Sequence, residues 1–262
     1  MKKLFITISA AFVIIMFGVF LLHLDQSANT PGALAKITAE VVEVEVVKND
    51  NQEISYSYPV FSGIADANVR EKINADIKSR MAEGAEGSRV DAAEICPEGQ
   101  EADESGWQCH FAYDGEYKAS TRLSDRILSV RLETYMYTGG AHGDTGVEFV
   151  NYDLRTGERF VWQSVFAADS DYLGAIAKYA NADIKKQLLI GEDSMSQEDW
   201  IDQGSSATEG NYADGNVGFD ENGLIVVFQE YQVAAYAQGA VISLIPYGEL
   251  ESVIDGNGLL KR

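Results

Sequence analysis

The sequence predicts an α+β fold with antiparallel sheets and helices packed on one face. Three observations carry that prediction. Period-2 alternation recurs in short segments, as where Val42, Val44 and Val46 alternate with Glu43 and Glu45. Two longer segments switch to helical spacing: Val69, Ile73, Ile77 and Met81, then Leu173, Ile176, Ala177, Ala180, Ile184 and Leu188. The strand-like segments are joined by tight turns. The order strand, strand, helix, several strands, helix, strand, strand, helix is therefore that of antiparallel sheets with helices on one face.

In chain order, residues 36–48 read as a first strand and 49–51 as a turn. Residues 54–60 read as a second strand, with Pro59 expected at an edge or strand end because it has no N–H to donate. A helix is predicted over 67–81, capped by Asp66 and ended by Gly84. Residues 83–107, acidic and glycine-rich, read as a loop. Strands follow at 111–117, 126–137 and 146–154, the last two joined by the glycine-rich connection 138–144. A type I turn at 153–157 leads into 158–165, which completes a hairpin. A second helix is predicted over 171–189, capped by Ser170 or Asp169 and followed by Gly191. Residues 192–214 read as a second acidic loop, with a short helix at 196–201 holding Trp200. Strands at 223–232 and 240–245 come next. Asn222-Gly223 marks the turn before the first, Pro246 stops the second, and 247–254 closes the chain as a short helix.

The N-terminus and the charge say where the chain works. Lys2 and Lys3 precede an apolar run over 4–22 that only Thr7, Ser9 and Gly18 interrupt, and no charge appears before Asp25. A run of about 18 or more apolar residues spans a bilayer, whereas secretory h-regions are about 7–15 residues long and lie close to a small-residue cleavage site. The nearest such site, Ala33-Leu34-Ala35, is distant. Residues 1–24 therefore read as an uncleaved signal-anchor crossing the membrane through 4–24, with a cleaved signal peptide as the alternative. Residues 25–35 read as a linker. Everything after Asp25 is expected outside the cytoplasm, at the membrane if anchored and secreted or periplasmic if cleaved. The cytoplasmic part is too short to signal inward by itself.

With Lys2 and Lys3 set aside, 18 basic residues face 41 acidic ones, a net of −23. That surface repels nucleic acid and anionic lipid and attracts basic proteins in a salt-dependent way, or serves solubility alone. Cys96 and Cys109, both in the exported part, are most simply a disulfide. His110 beside Cys109 would be a metal ligand only if others converged on it, and no metal or other cofactor is expected.

Motifs for chemistry are sparse. There is no GxSxG, HExxH or phosphate-binding glycine loop. The most conspicuous segment is Gly139, Gly140, Ala141, His142, Gly143 and Asp144, in which glycines allow close approach to His142 and Asp144 is placed to orient its imidazole. The same glycines also suit a plain strand connection. Asp214, Asn216, Asp220 and Asn222 fail the spacing of a calcium loop. Tyr135 and Tyr137 precede the glycine loop, and Tyr231, Tyr236 and Tyr247 cluster near the C-terminus. Exposed, such rings stack on sugars; on sheet faces they are half-buried by default.

Four stretches carry a resemblance: SYSYPVFSGIADANVREKIN from Ser55, ILSVRLETYMYTGGAHG from Ile127, NYDLRTGERF from Asn151, and FQEYQVAAYAQGAVISLIPYGEL from Phe228. Together they resemble a two-part extracytoplasmic module of largely unknown function. It is similar to the exported region of the lysozyme-responsive anti-sigma factor RsiV and to the non-catalytic N-terminal region of the peptidoglycan deacetylase PdaC. The resemblance implies a PdaC-like part over 36–120, with an acidic disulfide loop, and an RsiV-like part over 121–262. It implies a binding surface rather than an enzyme, for a cationic lysozyme-like protein or for peptidoglycan. Tyr137, Gly139, Gly140, His142, Asp144 and Tyr236 are its candidate residues, with the acidic stretches 98–104 and 192–199 beside them. No sigma-binding segment precedes the apolar run and no deacetylase domain follows residue 262, so neither activity is expected. A hydrolase using His142 and Asp144 is the least favoured reading.

Overall fold

The structure is a computed structural model that describes residues 36–102, 104, 108–123, 126–189 and 194–260. The apolar run 4–24 and the linker 25–35 lie outside these residues. Among the described residues no helix is long and apolar enough to cross a membrane.

β1 (Thr38–Lys48) and β2 (Gln52–Ser62) pair antiparallel around a turn made by Asn49, whose side-chain oxygen accepts from the amides of Asn51 at 2.9 Å and Gln52 at 2.8 Å. Pro59 lies inside β2 opposite Val41 rather than at its end. Pairing of β2 with the next strand stops at Tyr56, so the ring sits where β2 has a neighbour on one side only, the local equivalent of an edge.

α1 (Ala67–Ile95) starts as expected. The Asp66 carboxylate accepts from the amides of Asn68 at 2.8 Å and Val69 at 3.3 Å. It does not end at Gly84, and most of the loop expected over 83–107 is helix. The apolar stripe continues past Met81 through Ala85, Ser88 and Ala92, side chains too small to show as a hydrophobic period. Gly84 serves packing instead, since a Cβ there would lie 2.6 Å from the Tyr113 hydroxyl. The helix ends at Cys96, which is bonded to Cys109 with 5.6 Å between their Cα atoms. The Gln52 side-chain amide donates to the carbonyl of Cys96 at 2.7 Å, an acceptor that the helix end leaves free, and at 3.2 Å shares the Ala92 carbonyl with the Cys96 backbone N–H.

β3 (Phe111–Leu123) runs parallel to β2, a correction to the all-antiparallel expectation. The physical reason is α1 itself: a helix that long is a crossover connection, and such connections join parallel strands. β4 (Ile127–Tyr137) and β5 (Asp144–Asp153) add antiparallel, giving the order β1-β2-β3-β4-β5. After β5 the turn forms with Gly157 at φ +70°, but 158–165 does not return as a strand. One bridge pairs Tyr152 with Arg159, and Trp162–Val165 is a 3-10 turn whose i,i+3 spacing puts both Trp162 and Val165 in the core.

α2 (Tyr172–Leu188) is capped by Asp171, which accepts from the Gly174 amide at 3.0 Å, rather than by Ser170 or Asp169. Ser170 instead bonds the carbonyls of Ala167 and Val253. Gly191, expected beyond the helix, lies outside the described residues. α3 (Ser194–Gly204) is a fuller helix than the one predicted at 196–201. β6 (Val217–Phe219), β7 (Gly223–Phe228) and β8 (Val241–Pro246) form an antiparallel sheet, and α4 (Tyr247–Leu250) is shorter than the predicted 247–254.

The layers run α1, five-stranded sheet, three-stranded sheet, α2. Ile73, Ile77 and Met81 of α1 pack with Ile54, Phe111, Leu132 and Tyr152 on one face of the first sheet. The other face of β5, through Val147 and Phe149, meets Val227 of β7. Leu224, Val226 and Phe228 turn away toward Ile176, Ala180 and Ile184 of α2. Gly218 is required where the sheets touch, since a Cβ there would lie 2.2 Å from the Phe149 ring. The second sheet covers β5 and the first residues of β4, where the Phe219 amide donates to Ser129 Oγ at 3.0 Å. At the far end of β4, Arg131 and Glu133 are half-buried and Tyr135 is exposed.

Burial raises the phenols of Tyr56, Tyr113, Tyr117, Tyr152 and Tyr212 above 10.0, and at Tyr152 a hydrogen bond to Asp76 adds to it. These groups stay protonated in the fold at pH values where the unfolded chain releases their protons. The stability this contributes is fully present below about pH 10 and is lost as pH rises above it. Urea midpoints should fall between about pH 9 and about pH 11, with tyrosinate absorbance rising in step with unfolding; a flat midpoint would refute the assignment.

Candidate binding site

The 138–143 connection is shaped by its glycines and by a tyrosine on each side. Gly139 and Gly140 adopt φ of 95° and 106°, and the Tyr137 hydroxyl donates to the Gly140 carbonyl at 2.9 Å. Gly143 is needed for a different reason: a Cβ there would lie 2.6 Å from the Tyr135 ring. The His142 ring lies on that of Tyr236, with centroids 3.8 Å apart and planes at 23°. Tyr236 in turn donates to the Gly143 carbonyl at 2.8 Å. Gly143 is thus held between Tyr135 and Tyr236.

Tyr231 completes the group. Its centroid is 5.9 Å from that of Tyr236, and its hydroxyl is 3.4 Å from His142 Nε2. His142 Nδ1 faces the Gly143 carbonyl at 3.1 Å. A carbonyl only accepts, so in neutral His142 the proton sits on Nδ1, leaving Nε2 to face the Tyr231 hydroxyl as acceptor. Tyr231 has φ +64°, an uncommon conformation for a side-chain-bearing residue. Its carbonyl is held by the Trp200 indole N–H of α3 at 3.0 Å. The result is a platform of rings with open faces: Tyr231 is 49% exposed and Tyr135 40%.

Carboxylates border the rings. Desolvation, then the negative charge of Glu230, with Tyr135, Asp144 and Tyr231 adding to it, holds the Tyr236 phenol above its ordinary value, so it remains a donor. Glu230 Oε2 is buried without a hydrogen-bond partner. Rings beside carboxylates attract cations and also suit sugars, whose hydroxyls donate to the carboxylates.

The sequence-predicted residues divide. Tyr137, Gly139, Gly140, His142 and Tyr236 are brought together, and His110 joins them with its ring 6.1 Å from that of Tyr137. Asp144 lies at the site but does not orient the imidazole, because both ring nitrogens face other groups. Tyr247 is elsewhere, donating to the Asp220 carbonyl at 2.9 Å. Asn216 accepts from Gln229, and Asp220 from Asn222, so these polar residues build turns. Glu198 of the second acidic stretch lies on α3 and pairs with Lys185 at 2.9 Å. Among the described residues no group of three or more His, Cys, Asp or Glu could hold a metal ion. Sequence reasoning did not single out Glu230; its one signal was a charge beside Tyr231 in a segment read as a strand.

Residues 45–145 match the family model described as deacetylase PdaC, and residues 163–248 match the one described as a protein of unknown function, DUF3298. The chain is a two-part module, PdaC-like and then DUF3298-like. The module is similar to the peptidoglycan-N-acetylmuramic acid deacetylase PdaC of Bacillus subtilis, at 25% identity over 196 residues, covering 74% of this chain and 38% of that enzyme. It therefore spans well under half of that relative. Its fold is shared by a DUF3298 member from Bacteroides fragilis, with a TM-score of 0.60 at 19% identity, covering 86% of this chain and 96% of that one. A DUF3298 protein from Pseudomonas aeruginosa gives a TM-score of 0.56 at 15% identity, covering 85% and 95%. The PdaC likeness and the disulfide mark the module as an exported, extracytoplasmic domain. The platform draws on both matched segments: Tyr135, His142 and Asp144 come from the first, Glu230, Tyr231 and Tyr236 from the second.

Proposed function

We propose that the module is a membrane-anchored, extracytoplasmic binding domain for a cationic envelope protein of the lysozyme type, with the ring platform as its contact. The observation that supports this is the stack of His142 on Tyr236, flanked by the exposed ring of Tyr231 and the carboxylates of Glu230 and Asp144. Ring faces bind guanidinium and ammonium groups. A net charge of −23 on the exported part steers basic proteins toward the site. A second reading, a peptidoglycan-binding module, is favoured by the open tyrosine faces and by the likeness to an enzyme named for peptidoglycan.

Titration calorimetry of the purified protein against a basic lysozyme, at low and at physiological salt, tests the first reading. Binding that weakens as salt rises is expected, and Tyr231→Ala should reduce affinity about tenfold or more, as loss of a central tyrosine does in other interfaces. Heat absent at both salts would end the lysozyme reading. Salt-tolerant retention on purified peptidoglycan would favour the second.

A further inference from the structure

The strand register lines up polar side chains on the face of the first sheet opposite α1. Glu45 lies opposite Ser55, Ser55 beside Asp114, and Asp114 opposite Tyr135. One step along, Glu116 lies opposite Glu133. The alternate residues Ile54, Tyr113 and Leu132 are the ones buried against the helix, so both rows point away from it. Ser55 donates to Asp114 at 2.8 Å. Glu116 and Glu133 are a like-charged cross-strand pair, an arrangement that costs stability unless compensated. Lys118 bonds Glu116 and reaches Glu133 at 3.5 Å, and Arg131 also pairs with Glu133. Carboxylates still outnumber cations across these rows.

Tyr135 stands in the first row between Asp114 and Thr145 of β5, and its ring packs on Gly143. The acidic sheet face therefore runs into the ring platform without an intervening loop. From β1 to β4 it is about 14 Å wide, three strand spacings of about 4.8 Å each, which is broader than a single extended peptide.

We infer that this open sheet face is part of the same docking surface, and that a folded protein with a flat basic surface lies across it, its cations on Asp114, Glu116 and Glu133 and its edge against the platform. The inference rests on the reading above in taking a cationic protein as the partner; charge complementarity selects it over a second acidic copy of this chain.

The test compares two triple variants that remove the same charge. Asp114→Asn with Glu116→Gln and Glu133→Gln neutralises the sheet face. Glu71→Gln with Asp91→Asn and Glu94→Gln neutralises exposed positions on α1, on the far side of the sheet. The first should weaken binding of a basic lysozyme about tenfold and flatten its salt dependence, and the second should change it less than about twofold. Equal losses would overturn the inference, because net charge alone would then account for binding. Full affinity in the face variant would overturn it too, while leaving the proposed function standing. Asp114→Asn alone keeps an acceptor for Ser55 and covers a triple variant that fails to fold; it should weaken binding about threefold, and unchanged affinity would count against the face. Should the wild type not bind lysozyme, the proposed function fails, and amide shifts on adding decalysine decide the face separately. Shifts concentrated at Asp114, Glu116 and Glu133 uphold it, and shifts spread over the whole surface overturn it.

Discussion

Replacing Gly204 by alanine should destabilise the protein by about 3 kcal/mol and weaken any binding at the ring platform more than about tenfold. A Cβ at Gly204 would lie 1.9 Å from the Gln232 carbonyl oxygen and 2.8 Å from its carbon. Both are backbone atoms, so no rotamer change relieves the overlap. α3 and the 231–233 backbone are held together by several bonds. The Gln232 amide donates to the Gly204 carbonyl at 3.0 Å, Gln197 donates to the Val233 carbonyl at 2.9 Å, and Trp200 donates to that of Tyr231 at 3.0 Å. Overpacking of this kind costs about 1–3 kcal/mol, and each hydrogen bond pulled out of line adds about 1 kcal/mol. Moving α3 also releases Tyr231 from its positive-φ conformation, and with it the ring that faces His142. Thermal melts and calorimetry on Gly204→Ala check both effects. A variant that melts and binds like the wild type would show that α3 does not position the platform.

Replacing Cys96 and Cys109 together by alanine should cost about 3 kcal/mol, the loop-closure entropy of a short crosslinked segment. The two residues are 13 apart in sequence, and their side chains are 0% and 2% exposed. The native arrangement should nevertheless persist. Gln52 still holds the Cys96 carbonyl at 2.7 Å and Asn51 the Cys109 carbonyl at 3.1 Å, through backbone acceptors that substitution leaves in place. Urea unfolding should show a lower midpoint, and reductant applied to the wild type should reproduce the shift. An unchanged midpoint would mean that Asn51 and Gln52 close the segment without the covalent link.

The sequence was most legible where a side chain's polarity followed its exposure. Val42, Val44 and Val46 in β1, and Leu128, Val130 and Leu132 in β4, alternate in sequence and face the α1 core in space. It was least legible where a small residue did the packing. Gly84 has the sequence signature of a helix stop, yet it is the gap that admits the Tyr113 hydroxyl. Ala85, Ser88 and Ala92 carry α1 onward with too little hydropathy contrast to mark a face. β6 is three residues long with Gly218 at its centre, and it exists as a strand because β7 pairs with it. The parallel pairing of β2 with β3 follows from α1 as a crossover connection, which the alternation within each strand does not show. At the site, glycines around a histidine and a later tyrosine were enough to bring Gly139, Gly140, His142 and Tyr236 under suspicion. The stack itself was not legible, because it depends on how two segments nearly a hundred residues apart meet. Nor was the conformation of Tyr231, which α3 holds from outside the segment.

β5 gives one face to each hydrophobic core: Val150 and Tyr152 go to the α1 side, Val147 and Phe149 to the second sheet. It begins at the end of the first matched segment and finishes before the second starts. The strand is therefore a party wall rather than a hinge. A lineage that exchanged one segment for a relative's would have to bring in a sheet with a gap opposite Phe149, as Gly218 provides, or change both sides of the wall together. Shape at that one contact constrains which partners the two segments can accept as they are recombined, independently of what either segment binds.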